Sequence, residues 1–96
     1  MAAYVIANVK VSNPDQYKGY QALSPEAITS AGGEFLARGG ATHVLEGDFV
    51  PGRVVVAKFP EMAAAKAFYA SALYTEARSK RGGATEYFNM FIVEGI

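Results

Sequence analysis

The chain has no cysteine and no tryptophan, and its 96 residues include a single histidine, His43. Without thiols there can be no disulfide framework, thiolate nucleophile, iron–sulfur cluster or cysteine-ligated zinc. A lone imidazole excludes a multi-histidine metal cage. Charge is sparse and balanced, with nine basic and nine acidic residues giving a formal net charge of zero. A chain with no basic excess lacks the counterion-release term that holds nucleic acid or an anionic membrane surface. Long apolar runs are missing as well. Nothing approaches the roughly 20 residues of a membrane-spanning helix. The apolar stretch Ala2–Ala7 is too short, and too poor in preceding basic residues, for the core of a secretory leader. Gly39-Gly40 and Arg81-Gly82-Gly83 lack the lysine-serine step of a phosphate loop, and no serine sits in a nucleophile elbow. The expectation is a soluble protein of a reducing cytosol with neither metal nor cofactor.

What is present is apolar bulk. Hydrophobic residues make up 51% of the chain, with six tyrosines and six phenylalanines. Residues 1–96 fit one domain, and a domain this small buries only roughly 60–65% of its unfolded surface. The surplus apolar surface is expected to be covered by a second copy.

Ala3–Val11 alternates β-branched and small residues as a strand does, with Val5, Ala7, Val9 and Val11 on one face. Asn13-Pro14-Asp15-Gln16 is a helix start: Asn13 caps, Pro14 suits the first turn and Gln16 can reach back. Tyr17, Tyr20, Ala27, Ile28 and Ala31 recur near helical spacing. Pro25 lacks a donor and predicts a kink or restart, and Gly32 or Gly33 ends the helix. Glu34–Arg38 reads as a second strand with Phe35 and Ala37 opposite Leu36 and Arg38. Gly39-Gly40 predicts a bulge or bend. A short extended piece at His43–Glu46 and a Pro51-Gly52 turn lead into Arg53–Phe59, apolar enough for a central strand. An alanine-rich helix over Glu61–Ser71, a second over Leu73–Lys80 and a last strand over Glu86–Glu94 complete the order. This is α+β: a ferredoxin-like β-α-β-β-α-β protomer, its antiparallel four-stranded sheet carrying helices on one face. Both strand faces are largely apolar, so the uncovered face predicts a homodimer.

Arg38 lies in an apolar strand between glycine pairs, where a guanidinium could grip a carboxylate or enolate in two-pronged fashion. The alternative is an ion pair with Glu46 or Asp48. Glu46 is a candidate general acid or base, or a partner of Arg38 or Arg53. His43 carries the side chain type best suited to proton transfer near neutrality, unless it is simply solvated. Tyr74 and Arg78, four apart on a helix, could pinch a polar ligand together with Tyr69; otherwise the rings pack and Arg78 pairs with Glu76 or Glu86. Asn8, Asn89 and Lys58, on apolar strands, could line a pocket or lie near strand ends in water.

Four segments, GGEFLARGG at 32–40, LEG at 45–47, PGRVVVAKFP at 51–60 and AFYASALYTEAR at 67–78, together carry a family resemblance. In this order and spacing the chain resembles the domain-of-unknown-function family 1330 (DUF1330), a branch of the dimeric α+β barrel proteins. The resemblance implies a protomer whose sheet packs face to face with a second copy. The wider superfamily includes cofactor-free oxygenases, lactone isomerases, dehydratases and haem enzymes, among which fold does not choose. With one imidazole near strand two rather than on a helix, haem is disfavoured. Pro25 departs from the smoother helix expected of the group. The functional expectation is a cofactor-independent enzyme, of isomerase, lyase or oxygenase type, acting on a small acidic or enolisable metabolite. In it Arg38 binds the anion, Glu46 or His43 moves the proton, and Tyr74 shapes the pocket. The alternatives are a ligand-binding module without turnover and a purely structural homodimer.

Overall fold

Alternation in the first strand sets the layers. In a computed structural model, which describes residues Met1–Ile96, Ala3, Val5, Ala7 and Val9 of β1 (Ala3–Val11) are buried while their neighbours are half-exposed. Then follow α1 (Pro14–Ser30), β2 (Glu34–Arg38), β3 (Arg53–Phe59), α2 (Met62–Ala70), α3 (Ala72–Ser79) and β4 (Thr85–Glu94). The sheet runs β2-β3-β1-β4 with every pair antiparallel. This is the expected ferredoxin-like order, with α2 and α3 replacing one longer helix at the second crossover.

Local chemistry fixes the helix ends. Asn13 accepts from the Gln16 backbone at 3.2 Å, and Pro14 opens α1 where a missing donor does no harm. Gln16 spends its amide on the Gly82 carbonyl and so ties the start of α1 to the loop before β4. At the other end Gly32 has φ +85°. Gly32 and Gly33 donate to the carbonyls of Thr29 and Ile28, closing a Schellman cap. The interruption expected at Pro25 does not occur: α1 is one helix through it. Tyr17, Tyr20, Ser24, Ala27 and Ile28 are all buried, and that packing carries the turn whose hydrogen bond proline removes. Ser71 is extended, ends α2, and accepts from Tyr74 N at 3.2 Å to cap α3.

Two sequence readings of the β2 region are corrected. The chain does bend at Gly39, with φ +71°, but the alternation expected of Glu34–Arg38 fails, because a bulge at Leu36 shifts the register with β3 between Phe35 and Ala37. That extra residue inverts the alternation. Phe35 pairs with Ala57 and Arg38 with Val55, so Phe35 and Arg38 share the helix-facing side, and the guanidinium stands 4.6 Å from the Phe35 ring centroid. No strand forms at His43–Glu46. Gly39–Val50 is an irregular arm, exposed at every residue. Its base is anchored where Gly52 N donates to Asn8 Oδ1 at 2.8 Å.

Tyr17, Tyr20, Ile28, Phe59, Phe68 and Tyr74 fill the space between helices and sheet. On the opposite sheet face, Ile6 stands between Val56 of β3 and Phe91 of β4, and Asn8 is paired with Asn89. No helix covers that face. No helix is long and apolar enough to cross a membrane.

Candidate functional site

The largest concavity, about 530 Å³, opens between α2 and the free edge of β4. Met62, Ala65, Lys66 and Tyr69 line it from α2, which presents one side to the sheet. Met90, Phe91 and Ile92 line it from β4, and Arg81 closes one end. Its walls are apolar apart from two cations, and no carboxylate is among them. Such a cleft suits a small molecule with an apolar body and few polar groups.

Arg81 is the group that gives the cleft direction. Its guanidinium lies 3.7 Å from the Phe88 ring centroid and 4.9 Å from that of Tyr20, held by stacking on both. Its Nη1 is buried and has no hydrogen-bond partner within the protein. A buried, unpartnered cationic donor is costly, and an incoming anion would relieve that cost with a charge-assisted hydrogen bond.

Behind the cleft lies a row of hydroxyls. Tyr74 is wholly buried, and its hydroxyl is 2.6 Å from that of Tyr20. It also donates to Met90 Sδ at 3.8 Å, so Tyr20 is the donor to Tyr74 and the row ends on a residue of the cleft wall. Burial pushes the Tyr20 phenol well above the ordinary tyrosine range, and its interaction with Tyr74 adds to the rise; burial raises Tyr74 too, partly offset by the hydrogen bond it accepts from Tyr20. Burial, and then the neighbouring Tyr20, raises Tyr17 as well. These phenols are fixed donors and packing groups, not bases.

A narrow seam continues inward from the cleft. It shares Val5, Phe68, Phe88 and Met90 with the larger space and ends on Phe35 and Arg38 under β2. Arg38 thus sits at the far end of the same inter-layer gap from Arg81. Neither Arg38 nor Arg53 forms an ion pair with Glu46 or Asp48; the two ion pairs present are Lys10–Glu86 and Lys18–Asp15. His43 and Glu46 lie on the exposed arm, and neither lines the cleft or the seam. Tyr74 and Arg78 do not face one another across a ligand. Tyr74 is in the core, while Arg78 donates to the Tyr69 hydroxyl at 2.6 Å and lies 4.4 Å from that ring's centroid. Asn8 and Asn89 are cross-strand partners on the helix-free face. The residues that sequence reasoning missed are Arg81, Lys66 and Tyr20. Arg81 gains its setting from α1 and β4, and no local pattern around Arg81-Gly82-Gly83 announces it. No cluster of three or more histidine, aspartate or glutamate side chains is placed to hold a metal ion.

A model of the family described as "Domain of unknown function (DUF1330)" matches residues 2–96. The chain belongs to the DUF1330 family. No curated protein is significantly similar to this DUF1330 chain in sequence. Among solved structures, a protein of unknown function from Rhodopseudomonas palustris (RPA0582) is 21% identical with a TM-score of 0.75, over 99% of this chain and 82% of that one. SnoaB, a cofactor-independent oxygenase from Streptomyces nogalater, is 12% identical with a TM-score of 0.68, over 99% and 93%. A dimeric protein of unknown function and ferredoxin-like fold from Bacteroides fragilis is 12% identical with a TM-score of 0.58, over 98% and 96%. At these identities the likeness establishes the shared fold.

Proposed function

We propose that this DUF1330 protein binds a small, largely apolar acid in the α2–β4 cleft and acts on an enolisable one as a cofactor-independent enzyme. The observation that carries the reading is the buried, unpartnered Nη1 of Arg81 at the end of an otherwise apolar cleft. A carboxylate or enolate would take that donor while its hydrocarbon body covers Met62, Met90 and Ile92. Ionisation at a carbon next to a carbonyl develops charge on oxygen, and a preorganised guanidinium stabilises that state more than the neutral ketone. One solved structure of like fold is described as a cofactor-independent oxygenase, which agrees with a reading that needs no cofactor. Arg38 is the proposed second cation, at the inner end of the seam, and His43 and Glu46 are the proposed proton-transfer groups. A non-catalytic binding role is favoured by one observation: no carboxylate or imidazole of the same chain lines the cleft.

Pairing of two copies through the helix-free sheet face is part of the proposal. Ile6, Val56, Phe91 and Val93 form an apolar stripe there, and a protein of like fold is described as dimeric.

The test uses 1-anilinonaphthalene-8-sulfonate, an aryl anion whose fluorescence rises in apolar surroundings. Arg81→Leu is expected to weaken its binding by roughly 10- to 100-fold, the range for one charge-assisted hydrogen bond. Unchanged affinity in Arg81→Leu, with native secondary structure, would remove the cleft from consideration. Native mass spectrometry of protein taken gently from cells reads assembly mass and any copurified acid in one spectrum.

A further inference from the structure

The exposed arm between β2 and β3 has a composition that suits burial, not solvent. Leu45 and Val50 are each 87% exposed and Phe49 60%, while Glu46 and Asp48 place two carboxylates among them. A soluble chain does not hold three large apolar side chains out on a loop unless something covers them. Its own fold does not: every residue from 39 to 50 is exposed, and the arm leaves the sheet at the β2 edge while the α2–β4 cleft opens on the opposite edge. We propose that the arm of one copy closes over the Arg81 end of its partner's cleft, so that each site is built from two chains.

Topology, charge and reach point the same way. The arm emerges beside Arg53, which pairs with Val9, and Val9 pairs in turn with Phe88 near the start of β4. A two-fold axis parallel to the strands, between two sheets packed through their helix-free faces, lays β2 of one copy over β4 of the other without reversing the strand ends. The arm then emerges at the end of the partner sheet that holds Phe88 and Arg81. The same arrangement sets the two unpaired sheet edges against each other, which is how edges are protected. With Arg81 kept for the ligand, Lys66 is the cleft's remaining cation and no carboxylate lines the cleft to pair with it; the arm tip presents Glu46 and Asp48 and no lysine or arginine, so Asp48 can pair with Lys66. Residues 39–52, folded out and back, reach roughly 20 Å from the sheet at about 3.3 Å per residue. Leu45, Phe49 and Val50 would meet Phe91 and the apolar rim of the cleft.

The consequence for the site is chemical. The chain's only imidazole, His43, and the carboxylate of Glu46 arrive at a cleft that has neither type of group of its own. This deepens the proposed function and rests on it for the identity of the site, but the docking itself can be read without any ligand.

Absence of cysteine makes the test direct. Leu45→Cys and Glu86→Cys are prepared separately; both side chains are exposed, so folding is not at stake. The two proteins are mixed, allowed to exchange and treated with a short bis-maleimide. A covalent heterodimer joining 45 to 86, several-fold above a control pair of Leu45→Cys with Ser30→Cys on the far end of α1, is the expected result. Absence of the mixed product, or linkage of 45 to 86 only within a single doubly substituted chain, would overturn the arm-in-trans arrangement. The dye assay separates the two claims. Cross-linking with unaltered dye affinity in Arg81→Leu supports the arm and removes the anion site. Loss of dye binding in Arg81→Leu without cross-linking does the reverse.

Discussion

Removing one hydroxyl from the Tyr20–Tyr74 pair should cost different amounts depending on which is taken. In the observed row Tyr20 donates to Tyr74, and Tyr74 donates to Met90 Sδ. Tyr74→Phe leaves the Tyr20 hydroxyl as a buried donor with its acceptor gone, the expensive kind of loss at about 1–3 kcal/mol. Tyr20→Phe leaves Tyr74 still donating to sulfur and lacking only an incoming proton, so about 0.5–1 kcal/mol is expected. The double substitution removes donor and acceptor together and keeps both rings in an interior where the Tyr74 and Phe68 centroids are 4.3 Å apart. It should cost less than the sum of the singles by about 1 kcal/mol or more. Urea unfolding followed by far-ultraviolet circular dichroism on the four proteins gives the coupling directly, and a change of that size is well above the additivity error for independent sites. Costs that simply add, or a Tyr20→Phe protein less stable than Tyr74→Phe, would refute the assigned direction of the row.

The same phenols set a limit at high pH. All three buried tyrosines have folded-state values above the ordinary 10.0, so the folded protein holds protons that the unfolded chain releases. Their contribution is fully present below pH 10 and is lost as pH rises beyond it. Thermal melts should therefore fall steeply above pH 10, and the Tyr20→Phe/Tyr74→Phe double variant should show a shallower fall. An equally steep fall in both would place the alkaline transition elsewhere. Gly52→Ala should destabilise by about 1–3 kcal/mol, as overpacked substitutions do. Its new Cβ would stand 2.2 Å from the Val9 carbonyl oxygen and would disturb the bond to Asn8 that anchors the arm. Denaturant unfolding reads the change, and an unaltered midpoint would show that the arm's base yields freely.

Sequence patterning carried the architecture because most of it is written locally. The alternation of β1, the Asn13–Gln16 start of α1 and the Gly32-Gly33 stop each depend on residues a few positions apart. Pro25 misled because its effect on the backbone is local while the burial that outweighs it, Tyr20 and Ile28 against the sheet, comes from elsewhere in the chain. The bulge at Leu36 is a single inserted residue in a strand that still looks alternating, so the face presented by Arg38 was not readable. The site was less legible still. Tyr74 and Arg78 have the right spacing to share a helix face, but the break at Ser71 brings Tyr69 of α2 across to take Arg78. Arg81 becomes distinctive only once Tyr20 and Phe88 are folded around it. Proximity in sequence located neither event.

The break at Ser71 also bears on how anything enters or leaves the cleft. It divides what could have been one long helix into pieces of nine and eight residues. Helices that short do not persist in water when detached from their support. The α2 wall therefore cannot swing outward as a rigid flap: once Ala65 and Phe68 lift from the sheet, the coil they belong to loses its reason to stay wound. Passage of a bulky guest is coupled to melting of about two turns of backbone. The threshold for admission is set by the local unfolding free energy of α2, a quantity that every residue along that helix can tune.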